Sequence, residues 1–131
     1  MFIPPGFRQT SVPTSLGEMV YYTAEPSSWL VAPADSQRFP SLVFLHGFGG
    51  GSSAYEWSKV YPAFASEYRV LAPDLIGWGR SEHPDRSYQV EDYIRTITEF
   101  LEKTCNAAVP VVASSLTAAI VIRAAIARPD L

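Results

Sequence analysis

Ser115 lies in Ala113-Ser114-Ser115-Leu116-Thr117, a small-x-Ser-x-small pentapeptide between an apolar, β-branched run at residues 109–113 and an apolar segment of helical character from Leu116 onward. A strand that becomes a helix within one or two residues must bend sharply. A side chain at the apex of such a bend is thrust outward, where a hydroxyl can serve as a nucleophile. Only Ser115 fits that register, because centring the pattern on Ser114 would put Val112 and Leu116 where small residues are needed. The bend also leaves the Leu116 N–H unpaired at a helix N-terminus, where the helix dipole favours developing negative charge. The chemistry this allows is nucleophilic attack by a serine hydroxyl with developing negative charge held at the helix N-terminus. The stretch alone leaves a second reading open, an ordinary strand-to-helix junction with Ser114 as helix cap.

Two further loops must reach the same place for that chemistry to work. The apolar run 42–45 ends abruptly in His46-Gly47-Phe48-Gly49-Gly50-Gly51-Ser52-Ser53, whose glycines let the backbone approach a ligand and turn N–H groups inward. The run 68–72 ends in Pro73-Asp74 and the turn-rich Gly77-Trp78-Gly79-Arg80-Ser81. Ahead of these, residues 8–12 and 19–23 read as an antiparallel pair at a sheet edge. Residues 24–40 read as a long proline-containing loop that Trp29-Leu30-Val31 pin to the body. Residues 55–66 are expected to form a helix begun or kinked at Pro62, and residues 88–103 an amphipathic helix with Val90, Tyr93, Ile94, Ile97, Phe100 and Leu101 on its buried side. Strands alternating with helices predict an α/β fold with a mostly parallel sheet covered by helices on both faces. Loops 46–53, 74–81 and 114–117 then converge at the strand C-terminal ends, where open α/β sheets bind ligands.

Composition sets the outer bounds. A chain of 131 residues with 47% apolar content suits one domain with a packed core. A net charge of −3 with scattered basic residues points away from nucleic acid and from membrane surfaces. The single cysteine, Cys105, excludes an internal disulfide, fits a reducing compartment and reads as a packing residue. The start of the chain lacks the pattern of a secretory signal, and the apolar region 109–127 is broken by Ser114, Ser115, Thr117 and Arg123, so no membrane span is expected and the cytoplasm is the expected location.

Together, Leu45-His46-Gly47-Phe48-Gly49-Gly50, then Ala72-Pro73-Asp74-Leu75-Ile76-Gly77-Trp78-Gly79-Arg80-Ser81, then the Ser115 pentapeptide resemble the N-terminal half of an α/β-hydrolase-fold protein, with clear similarity from about Leu42 onward. The resemblance implies that Ser115 is the nucleophile and that the N–H groups of Phe48 and Leu116 are the oxyanion-hole donors. It implies a substrate pocket bordered by His46, Gly47, Trp78 and Ser114. His46 matches a structural histidine that braces the oxyanion loop, and Asp74, Gly77 and Gly79 match a structural loop. No metal or organic cofactor is implied. Ala113 and Thr117 stand where many members carry glycine.

In this family the catalytic acid and histidine follow the nucleophile, whereas only Arg128-Pro129-Asp130-Leu131 follow the elbow helix here. The expectation is therefore that residues 1–131 are the N-terminal portion of a single hydrolase domain, with little or no turnover alone. Its open sheet edge invites a complementing chain or self-association. The parent would be a serine hydrolase of small ester-like substrates. A serine apex disfavours the haloalkane dehalogenase and epoxide hydrolase branches, which carry a carboxylate there. A non-catalytic binding module of the same fold is an alternative. So is a dinucleotide-binding unit with Gly47-Phe48-Gly49 as phosphate loop and Asp74 as ribose acid, although Ser52 replaces the final small residue of that fingerprint.

Overall fold

The computed structural model describes residues 3–25 and 40–131, so the contact expected of Trp29-Leu30-Val31 lies outside the described residues. Strands β1 (Phe7–Thr14), β2 (Gly17–Ala24), β3 (Ser41–Leu45), β4 (Arg69–Pro73) and β5 (Val111–Ala113) form one sheet in the order β1-β2-β4-β3-β5. β3, β4 and β5 are mutually parallel, while β1 and β2 form an antiparallel hairpin that joins β4 antiparallel. The hairpin register runs from Phe7 opposite Ala24 to Thr14 opposite Gly17. The Thr14 hydroxyl closes the turn by donating to the Gly17 carbonyl at 2.7 Å.

Period-two alternation sorts the strand side chains onto two faces. Met19, Val43, Leu45 and Leu71 pack with Ile97, Phe100 and Leu101 of α1 (Val90–Thr104) and Ile120 of α2 (Leu116–Ala127). Val20, Tyr22, Leu42, Phe44, Val70 and Ala72 face the other way, against Phe7, Ala54, Tyr61 and Ala65. Both α-helices thus lie on one face. The opposite face is covered by two 3-10 turns, Ala54–Trp57 and Tyr61–Phe64, where a helix over 55–66 begun or kinked at Pro62 was expected. Pro62, at the start of the second turn, has no N–H to continue an α-helical ladder. Ser53 starts the first turn afresh, its side chain accepting the Tyr55 N–H at 3.2 Å.

α1 begins two residues later than predicted. Gln89 and Asp92 form a reciprocal capping box there, the Gln89 N–H donating to Asp92 Oδ2 at 2.8 Å. Arg95 and Arg86 meet the same carboxylate at 2.8 and 3.4 Å. The Gln89 N–H first, and the two arginines with it, outweigh the desolvation of the Asp92 carboxyl and hold it below its ordinary range. Cys105, half-buried, packs against the α1 and α2 core.

Candidate active site

The C-terminal ends of β3, β4 and β5 bring the three loops together as the parallel topology requires. Ser115 precedes α2 with φ 58° and ψ −137°, and is the one non-glycine residue with positive φ among the described residues. A β-carbon disfavours that conformation by about 1–3 kcal/mol. It turns the side chain out of the sheet, and Ser115 is exposed at the apex of the strand-to-helix bend. Its side chain makes no helix-capping bond, and the Ser114 hydroxyl is drawn elsewhere, donating to Glu56 Oε2 at 3.4 Å. The junction is therefore no ordinary Ser114 cap.

Gly47 lies directly against the elbow. A β-carbon there would come within 2.8 Å of Ser114 Oγ and 3.4 Å of Ser115 Cβ, so only glycine allows this approach without displacement. His46 sets the orientation of the next peptide. Its Nε2 accepts the Leu75 N–H at 3.0 Å, which requires that nitrogen to be unprotonated and leaves the proton on Nδ1. Nδ1–H then donates to the Gly47 carbonyl at 2.8 Å. Because the C=O and N–H of a trans peptide point in opposite directions, a Gly47 carbonyl held against the ring aims the Phe48 N–H away from it. Among the described residues, neither the Phe48 N–H nor the Leu116 N–H has a hydrogen-bond acceptor. Two N–H groups without an acceptor thus lie in the loops that meet at the elbow, one next to Ser115 in sequence and one next to Gly47.

The other expected residues occupy distinct positions. His46 is fully buried with both ring nitrogens engaged; it lies behind loop 46–53 and does not line an open pocket, which corrects that part of the sequence reading. Burial lowers its pKa, so the imidazole stays neutral near pH 7. Thr117 is also fully buried and donates its hydroxyl to the His46 carbonyl at 2.7 Å. It fastens α2 to the loop that follows β3. The Phe48 ring turns towards α1, packing edge-on against Trp78 at 5.3 Å and Tyr93 at 4.8 Å between centroids. Trp78 in turn meets the His46 ring at 5.8 Å. These aromatic contacts hold the loop from behind.

Asp74 is fully buried. Its carboxylate accepts the Ala54 N–H at 2.7 Å, the Arg80 N–H at 2.9 Å and the Tyr22 hydroxyl at 3.2 Å. At Gly79, with φ 53°, a β-carbon would overlap that carboxylate. Burial first, then the neighbouring Asp74, raises the Tyr22 pKa above the ordinary phenol range. His83 is exposed and its Nε2 lies 3.1 Å from the Gly79 carbonyl. Neither histidine is hydrogen-bonded to Ser115.

Glu56 is the member that sequence reading missed. Its Oε2 accepts the Gly47 N–H at 3.3 Å as well as the Ser114 hydroxyl. Burial pushes its pKa up, but hydrogen bonds from Ser52, Gly47 and Ser114 outweigh that and hold the carboxyl below its ordinary value. A carboxylate seated on this glycine loop repels phosphate, which removes the physical basis of the dinucleotide reading. No group of three or more potential metal ligands forms among the described residues.

Two apolar clefts of about 340 and 210 Å³ flank β5, one on each face of the sheet, and neither includes Ser115. The first is bounded by Phe44, Trp57 and Val112, the second by Ile97, Val111 and Val121.

The sequence profile of the Alpha/beta hydrolase family matches residues 42–130. A haloalkane dehalogenase of Bradyrhizobium diazoefficiens is 32% identical over 104 residues, covering 79% of this chain and 33% of the relative. The 2-hydroxy-6-oxo-6-(2'-aminophenyl)hexa-2,4-dienoic acid hydrolase of Metapseudomonas resinovorans is 36% identical over 62 residues, covering 47% of this chain and 21% of the relative. Among solved structures, a haloalkane dehalogenase from Bradyrhizobium elkani superposes with a TM-score of 0.78 at 27% identity, covering 95% of this chain and 39% of its own. The chain spans a third or less of the length of these curated relatives. The superposition agrees with the fold, and the profile match over most of the chain shows that it belongs to the Alpha/beta hydrolase family.

Proposed function

We propose that this chain is the N-terminal portion of a serine hydrolase acting on a small ester or related carbonyl substrate. The observation that carries the reading is Ser115 itself, exposed at positive φ against Gly47, with the N–H groups of Leu116 and Phe48 in the adjoining loops left without acceptors. In the proposed reaction the Ser115 oxygen attacks the carbonyl carbon while its proton passes to a histidine supplied by further polypeptide. The oxyanion rests on the Phe48 and Leu116 N–H groups. Collapse expels the alcohol, which takes the proton from that histidine, and water then cleaves the acyl-serine by the same route. With no histidine of the described residues on Ser115, this chain by itself lacks the proton acceptor. The open edge of β5 is where we place the missing part of the domain, whether as continuing chain, a complementing chain or a second copy. A cytoplasmic location fits these assignments, and no helix among the described residues is long and apolar enough to cross a membrane.

Dehalogenation, the activity named for several relatives, is the second reading, favoured by the number of such relatives. Serine at the apex speaks against it, because the dehalogenase branch uses a carboxylate at that position. The discriminating experiment gives the complete protein p-nitrophenyl esters and short haloalkanes in parallel. Ester turnover abolished in Ser115→Ala supports the serine mechanism. Halide release without ester cleavage, or ester turnover unaffected by Ser115→Ala, refutes it.

A further inference from the structure

The carboxylate of Glu56 faces the elbow from a different element, the 3-10 turn Ala54–Trp57, and touches both halves of the candidate site. It accepts the N–H of Gly47, one residue before the proposed oxyanion donor, and the hydroxyl of Ser114, one residue before the proposed nucleophile. Ser52 supplies a third hydrogen bond to it. A β-carbon added at Gly47 would in turn lie 3.4 Å from Ser115 Cβ. Among the described residues no cation pairs with Glu56; the five ion pairs involve Arg86, Arg95, Arg123 and Arg128. An unneutralised negative charge therefore sits at the rim of a site whose chemistry, in the proposed mechanism, generates a second negative charge.

We propose that Glu56 sets the charge selectivity of this site: it favours neutral or cationic acyl substrates and rejects those whose acyl chain carries a carboxylate or phosphate. The inference rests on the Ser115 reading above and adds a substrate class to it. Three neutral donors hold the carboxylate in place without cancelling its charge, so its field reaches the acyl group. Glu56 is too acidic to serve as proton acceptor for Ser115 near pH 7. Its part is electrostatic and concerns which substrate enters.

At a separation of about 7 Å one unit charge discriminates against another by about threefold at the dielectric of water and about fiftyfold at an effective value of about 20, and for the exposed Glu56 a figure between these limits, about five- to tenfold, is expected. The test uses the complete protein and two p-nitrophenyl esters of equal chain length, one ending in a carboxylate and the other in an isopropyl group of the same shape. Glu56→Gln keeps an acceptor for the Gly47 N–H and removes the charge. It is expected to raise the ratio of kcat/KM for the anionic over the neutral ester by about five- to tenfold, and Glu56→Lys to raise it further. In the wild type the same ratio should rise as salt increases from 0.02 to 0.5 M, on the order of severalfold, because screening weakens the repulsion. A merely structural Glu56 would lower both rates together and leave the ratio fixed. An unchanged ratio in both variants, or a salt-independent ratio in the wild type, overturns the inference while leaving the serine mechanism standing. Failure of the wild type to cleave either ester overturns the serine mechanism and this inference with it.

Discussion

Gly47 and His46 show how much of the candidate site rests on single residues. Gly47→Ala would drive a methyl group into Ser114 Oγ and towards the nucleophile. Relief requires loop 46–53 to back away, and under the proposed mechanism kcat of the complete protein should fall on the order of a hundredfold with KM little changed, the signature of a lost oxyanion donor. His46 has a different signature, in pH. Burial lowers its pKa below the unfolded value of 6.5, so the unfolded chain binds the proton more readily and stability is lost as pH falls below about 6.5. Urea midpoints measured from pH 7.5 to 5.5 should decline for the wild type. His46→Asn should begin lower and stay flatter, since it lacks the group that titrates. Glu56 and Asp92, whose carboxyls are held below their ordinary range, contribute stability that is present above about pH 4.5 and lost only in more acidic solution.

Among the elements, the loop after β4 does more than connect. Asp74 ties three pieces of chain together through Tyr22 of β2, the first 3-10 turn at Ala54 and the Gly79-Arg80 turn. The Ser81 hydroxyl adds a fourth tie, donating to the Asp74 carbonyl at 2.5 Å while accepting the Val20 N–H at 2.7 Å. Asp74→Ala would leave three donors facing a void, two of them backbone N–H groups, and should destabilise the fold by about 3–5 kcal/mol in urea titrations. Much of this level was legible beforehand. The alternation of apolar runs located β3, β4 and β5, and the heptad-like spacing of Tyr93, Ile97 and Phe100 located α1. The exception was 55–66, where apolar spacing fitted a helix while Pro62 and the Ser53 cap divided the segment into two tight turns. Local backbone chemistry prevailed there over periodicity.

At the scale of the whole molecule, the sheet of the described residues ends at β5 with one edge unpaired and an apolar cleft on either side. Apolar residues surround α2, and Ile122 and Ile126 are 60% and 77% exposed. Such surface is far from what a stable monomer presents, and an open apolar strand edge templates further pairing. The 131-residue chain alone should therefore self-associate, read as concentration-dependent mass by light scattering. Ile122→Glu with Ile126→Glu should shift it markedly towards monomer. A monodisperse wild-type monomer would contradict this account of the β5 side of the molecule.

The sequence alone determined the fold class, the order of the strands along the chain, the loops that gather at one sheet edge and the identity of the apex serine. These are set by short-range patterns: period-two and helical spacing, glycine and proline, and the small residues a sharp bend demands. Tertiary structure decided the rest. It placed Glu56, 59 residues before Ser115 and carrying no local motif, against the elbow, put both helices on one face, and made His46 a buried brace with its proton on Nδ1. Those outcomes depend on which side chains meet across the sheet, and hydrogen-bond direction, burial and electrostatic neighbourhood exist only once they have met.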